Sequence, residues 1–188
     1  MALPTRASDC RRLVLLTKFI FAGKFSRSIR LEDTLTLPSA IFETYRSTLV
    51  SQPLSALWRG HGSAIFLEFG RLSPKVKRDG SAANPQGDYT VIIEWSWRIE
   101  NEESILCGSW SDEDNWKEIF QTLIGQTVQD ISIYGRLPEL SISFANGLYV
   151  ASFMTAEGQP AWGIIDRSPQ HQKCRCLGVR DGVIVEEF

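Results

Sequence analysis

Three side chains of zinc-binding type, His171, Cys174 and Cys176, fall within the stretch HQKCRCLG at residues 171–178. Imidazole nitrogen and thiolate sulfur are both zinc ligands, but a structural zinc takes four of them. Only Cys10, Cys107 and His61 remain to complete a set, and none forms a second C-x2-C or H-x3-H pair. Read as a strand, the same stretch alternates, with Cys174 and Cys176 on one face and Lys173 and Arg175 toward water. Free cysteine behaves as a small buried hydrophobe, so this pattern needs no metal. The expectation is a core strand, with no metal and no other cofactor.

Nucleophilic catalysis by cysteine or serine requires a base within hydrogen-bond reach, most often histidine. The chain has two histidines. His61 lies in RGHGSAIF, whose spacing does not match the G-x-S-x-G elbow, and no strand is expected to precede it. His171 lies in a polar loop after Pro169. A pair of carboxylates is the other route to hydrolysis, and their separation sets its stereochemistry. Glu94, Arg98 and Glu100 alternate in YTVIIEWSWRIE and would share the outer face of one strand. The simpler account is a solvated face with Arg98 between two glutamates. No phosphate loop or dinucleotide fingerprint occurs. The basic run Lys75, Lys77 and Arg78 has no flanking aromatic to stack a base.

Binding residues are better represented than catalytic ones. Six tryptophans are present. The alternation places Trp95 and Trp97 inward, and Trp116 on a helical stripe. Trp58 in LWRGHG and Trp162 in TAEGQPAWG read as turn positions, where an aromatic side chain can meet a partner; the alternative is that each caps an end of the core. Tryptophan and arginine dominate binding hot spots. The acidic residues Glu102, Glu103, Asp112 and Glu113 form the second set of partner-binding candidates. Their plainer role is to complement a helix dipole.

These residues must be positioned by sheets. YTVIIEWSWRIE has Val91, Ile93, Trp95, Trp97 and Ile99 on one side, the pattern of a half-buried antiparallel strand. ELSISF and LYVASFMT flank Asn146-Gly147, which predicts a two-residue hairpin. The sequence RDG between CRCLGV and VIVEEF predicts another. SPKVKRDGSAANPQG reads as an exposed hairpin loop. In SDEDNWKEIFQTLIG, Trp116, Ile119, Phe120 and Leu123 form one apolar stripe, capped by Ser111 and ended by Gly125, so the main helix is placed at 111–125. A weaker helix follows Pro38, with Ile41, Phe42, Tyr45 and Leu49 on one side. AIFLEFGRL and DISIYGRL both end in aromatic-Gly-Arg-Leu and are each followed by two strand patterns. This suggests an internal duplication with halves 60–110 and 126–188, chance similarity of short motifs being the alternative. The fold class expected is α+β: two antiparallel β units around one main amphipathic helix.

The composition, 43% hydrophobic and 22% charged over 188 residues, suits a globular chain that needs no disulfide staples. The four cysteines are read as reduced thiols of a cytoplasmic protein. Residues 1–30 carry a net +6 and residues 31–188 a net -8. The first segment is set apart as basic, and 31–188 is taken as one domain. The basic start and the apolar run LVLLTKFIFAG suggest a secretory signal, but Lys18 interrupts the run and no clean cleavage site follows. A first strand or helix of the domain, or a start codon placed too early, is the plainer reading. The run is too short to span a bilayer, and no membrane role is expected. A pI near 5.8 disfavours nucleic acid. The expectation is a non-enzymatic interaction protein of the bacterial toxin-neutralising, immunity kind, with a partner more basic than itself. A small hydrolase using surface carboxylates or His61, and a phage- or plasmid-borne structural subunit, are the alternatives.

Overall fold

The computed structural model describes residues 31–155, 161–171 and 173–187. The chain divides into two units, Met1–Leu37 and Pro38–Phe188. The second unit carries the sheets. The basic segment 1–30 lies outside the described residues.

Strands dominate. Helix α1 (Leu31–Leu49) is followed by β1 (Leu54–Arg59), β2 (Ile65–Phe69), β3 (Ser73–Val76), β4 (Ala82–Gln86), β5 (Tyr89–Ile93), β6 (Trp97–Glu100) and β7 (Ile105–Gly108). Next come a 3-10 turn (Glu113–Asn115), helix α2 (Trp116–Leu123), β8 (Val128–Tyr134), β9 (Glu139–Phe144), β10 (Tyr149–Ser152), β11 (Trp162–Asp166), β12 (Arg175–Arg180) and β13 (Val183–Glu187). All strand pairs are antiparallel. One sheet has the order β1-β2-β5-β11-β12-β13, a second β7-β6-β10-β9-β8, and β3-β4 stand apart as an exposed hairpin.

Period-2 alternation puts Leu67, Val91, Ile164 and Leu177 on the inner face of the first sheet, and Ile99, Val150, Ile142 and Ile131 on that of the second; all belong to one buried cluster. Two helices close the sides where these sheets would expose that core. From α1, Phe42, Tyr45 and Leu49 enter the cluster. Tyr45 donates its hydroxyl to Glu186 on β13 (2.8 Å), and Arg46 pairs with Asp130 on β8 (2.7 Å), so α1 joins the last strands of both sheets. At the opposite edges, α2 packs against β1 and β7 and buries Trp116, Phe120 and Leu123.

Among the described residues there are two helices, and the one read as weaker after Pro38 is the longer, α1 at 19 residues against eight for α2, which corrects the single main helix at 111–125. α1 also continues through Pro38, where one intrahelical bond must be forgone. α2 starts later than its stripe suggested because residues 113–115 form a 3-10 turn. Asp112 caps that turn by accepting from the Asp114 N–H at 3.1 Å. Ser111 instead accepts from the Gly108 N–H (3.0 Å) and the Trp116 indole N–H (3.1 Å).

YTVIIEWSWRIE is two strands in two sheets, not one. The chain crosses between sheets at residues 94–96, and Trp95 is rotated outward, 51% exposed. Val91, Ile93, Trp97 and Ile99 remain buried because the crossing preserves the parity on either side of it. The suggested halves do not sort into separate sheets either. Strands β5 and β6, neighbours in the first half, are divided between the two, and the second half supplies strands to both.

Both hairpins form. Asp181 (φ 52°) and Gly182 (φ 74°) make the two-residue turn between β12 and β13. Between β9 and β10 the loop is Ala145–Gly147, three residues rather than two. The Gly147 N–H closes back on Phe144 O, and Gly147 takes the left-handed conformation that follows such a turn.

Candidate functional site: a groove between a sheet edge and a helix

Among the described residues, strand β1 is the first strand of its sheet, with β2 on one side only. Its early residues find partners on the other side as well. Leu54 exchanges backbone bonds with Gly125 and Gln126, at 2.7 and 2.9 Å. Beyond that point the chain at 116–123 coils into α2, and the edge of β1 opens. A cavity of about 280 Å³ lies there, lined by Leu57, Trp58 and Arg59 from β1 and by Glu113, Trp116, Lys117, Phe120 and Gln121 from the α2 region.

Its walls are held in fixed positions. The Trp58 ring stacks on Phe66 of β2, with centroids 4.0 Å apart and planes 3° apart. Its indole N–H donates to Glu68 Oε1 at 3.2 Å. Glu68 is buried, and its other oxygen accepts from the Gly87 N–H (2.9 Å) and the Thr90 hydroxyl (2.5 Å). Arg167 in turn donates to Thr90 at 2.6 Å. One buried carboxylate thus ties Trp58 to the loop before β5. On the opposite wall, Trp116 meets Trp97 edge-on at 4.9 Å. The Arg59 guanidinium lies 5.1 Å over the Trp116 ring and binds both carboxylate oxygens of Glu113. A guanidinium stacked on an aromatic and forked onto a carboxylate loses most of its rotational freedom. The result is a small apolar trough with a rim of paired charge.

The groove brings together two of the candidates taken from sequence, Trp58 and Glu113, with Asp112 next in chain to the second. Glu102 and Glu103 are exposed in the turn between β6 and β7, where the Glu103 N–H is held by Asn101. Trp162 is corrected outright. It lies in strand β11 rather than a turn, is fully buried, and donates its N–H to Pro138 O at 2.7 Å. Arg59, Lys117, Phe120 and Gln121 were missed as lining residues. The Trp-Arg pair in LWRG was the available signal for the first; the others depend on how α2 lies against β1.

The remaining chemistry is dispersed. His61 is exposed in the turn after β1, whereas Cys107 is buried. Arg98 pairs with Glu100 at 2.5 Å, while Glu94 sits in the crossing segment, its carboxyl raised above the usual range by burial. His171 pairs with the buried Asp166 at 3.1 Å. Among the described residues, no group of three or more His, Cys, Asp and Glu side chains is placed to hold a metal ion. Cys107 and Cys176 are free, but Cys174 lies just ahead of β12 and is disulfide-bonded, which corrects the reading of four reduced thiols. Burial pushes both free thiols up to about 11. At pH 8 each should be thiolate in only about one molecule in a thousand. Maleimide labelling of the native protein should therefore leave Cys107 and Cys176 largely unmodified and should become fast in denaturant; rapid native labelling would show that these sites open.

No helix among the described residues is long and apolar enough to cross a membrane. No family model, no curated protein and no solved structure matches the chain.

Proposed function

We propose that the chain is a non-enzymatic protein-interaction module that receives an apolar anchor of its partner in the groove between β1 and α2. In its most concrete form it is a toxin-neutralising, immunity-type protein with a more basic partner. The observation that carries the reading is the groove itself: half-buried Trp58 stands at a sheet edge, with Trp116 and Phe120 buried behind it and Arg59 held beside them. Tryptophan and arginine in a pocket are the usual centre of a binding hot spot. The charge around it supports a cationic partner. Asp112, Asp114 and Glu118 are exposed and next in chain to lining residues, while the lining itself holds Lys117 and an Arg59 already paired with Glu113.

The test begins with co-purification of the full chain from its host and continues with association kinetics on the protein recovered. Trp58→Ala should weaken binding by about thirtyfold or more, as truncation of a central tryptophan generally does. Reversal of Glu102, Glu103 and Asp112 to lysine should slow association by about tenfold and remove most of its salt dependence, leaving dissociation less affected. Binding that ignores both changes would exclude this surface.

A further inference from the structure

We infer that the groove binds its partner by strand addition: an extended, basic segment of another protein pairs with the open edge of β1 and lowers an apolar side chain between Trp58 and α2. The inference rests on the interaction reading above and specifies its geometry. The alternation of backbone bonds along β1 follows from its end. Gly60 donates to Ala64 O at 2.7 Å, and Trp58 stands opposite Phe66. Gly60 and Trp58 are therefore the residues whose backbone groups face β2, and the N–H and C=O of Leu57 and Arg59 point to the open side. Among the described residues, no other backbone or side-chain group bonds to them. The preceding residues of the same edge are already used in this way, since Leu54 bonds to Gly125 and Gln126 and Pro53 bridges to Thr127. The chain's own segment thus covers the first part of the edge as a short antiparallel partner, then departs into α2. A foreign strand would continue that ladder where the chain leaves it.

Two further features select the occupant. The cavity, at about 280 Å³, lies just below the usual range for small-molecule pockets and fits a single large side chain with its backbone. In an added strand, alternate side chains enter such a pocket while main-chain bonds supply affinity. In the lining Arg59 is paired with Glu113 and Lys117 is exposed, while the exposed carboxylates Asp112, Asp114 and Glu118, next in chain to lining residues, would complement lysine or arginine at neighbouring positions of the incoming strand.

The test uses the full-length protein and a phage-displayed library of short random linear peptides, followed by synthesis of the best selected sequence. Arg59→Ala removes the ion pair with Glu113 and keeps the backbone donor; Arg59→Pro removes the donor as well, without breaking any bond to β2. The expected result is a peptide with an apolar residue flanked by Lys or Arg. Arg59→Pro should bind it about tenfold more weakly than Arg59→Ala does. The amide protons of Leu57 and Arg59 in the unmodified protein should exchange more slowly when it is bound, a readout that stands even where the proline variant fails to fold. If Trp58→Ala abolishes binding but the two Arg59 variants are equal and neither amide is protected, strand addition is wrong and the groove reading survives. If no peptide is selected, or those selected ignore Trp58→Ala, both fall. A chain that sediments as a dimer and is dissociated by Arg59→Pro would make the occupant a second copy and overturn the assignment to a foreign segment.

Discussion

Replacing Trp162 with alanine is expected to destabilise the protein by about 3–5 kcal/mol, the usual range for a fully buried tryptophan. Trp162 stands opposite Ile93 in the register between β5 and β11, in the middle of the larger sheet, and no part of it reaches solvent. Truncation leaves a large void beneath the sheet. It also leaves Pro138 O without the indole N–H that meets it at 2.7 Å. For a chain of this length the melting temperature should fall by on the order of 10 °C. Chemical denaturation of the variant checks the value. A loss below about 1 kcal/mol together with a loss of partner binding would instead restore Trp162 to the exposed role that its turn-like sequence context suggested.

Glu68→Ala is expected to cost a comparable amount, about 3–5 kcal/mol, for a different reason. The side chain is an acceptor hub. Its removal leaves the Gly87 N–H, the Thr90 hydroxyl and the Trp58 indole N–H without their partner. Gly87 shows how close that approach is: a Cβ there would stand 2.4 Å from Phe69 O, so only glycine lets the backbone reach the carboxylate. Glu68→Gln should recover part of the loss, because its amide oxygen can still accept from Gly87 and Thr90. Its NH2 would face the Trp58 N–H, so the ring should loosen from Phe66. Trp58 fluorescence and peptide affinity should change in the glutamine variant even where stability is largely kept. Unchanged fluorescence in both variants would mean that stacking on Phe66 alone fixes the ring.

The two effects also mark what the sequence could and could not reveal. Alternation correctly placed Val91, Ile93, Trp97 and Ile99 in the core, though Thr90, Ile92 and Ser96 on the other parity are buried as well, and the turn residues at 146–147 and 181–182 located both hairpins, because these signals depend on residues a few positions apart. Trp95 fits the same alternation and is nevertheless exposed. Nothing local records that the chain changes sheets at 94–96. Thr90 reads as a solvent-facing position and is buried, since Glu68 lies beside it on β2 and Arg167 reaches it from beyond β11. The groove was legible only as separate parts, an aromatic followed by arginine on one strand and a negative turn ahead of a helix. Its existence follows from α2 lying against the edge of β1, a contact between segments far apart in the chain. Trp162 was misplaced because the Gly-Pro-rich stretch before it resembles a turn, while its own burial is decided by strands on both sides.

The placement of β5 between β2 and β11 has a consequence for how the molecule is made. β2 precedes β5 closely, but β11 and the two strands beyond it come from the end of the chain. On the ribosome, the second sheet has all five of its strands once β10 has emerged, whereas the first still presents β5 as a bare, strongly apolar edge. Ile92 and Ile93 then have a partner on one side only. That edge is a template for any other nascent chain until Trp162 and Gly163 arrive to pair with it. A stop codon ahead of β11 would therefore yield an adhesive product rather than a smaller working one, and the final strands act as the closure that makes the earlier ones safe.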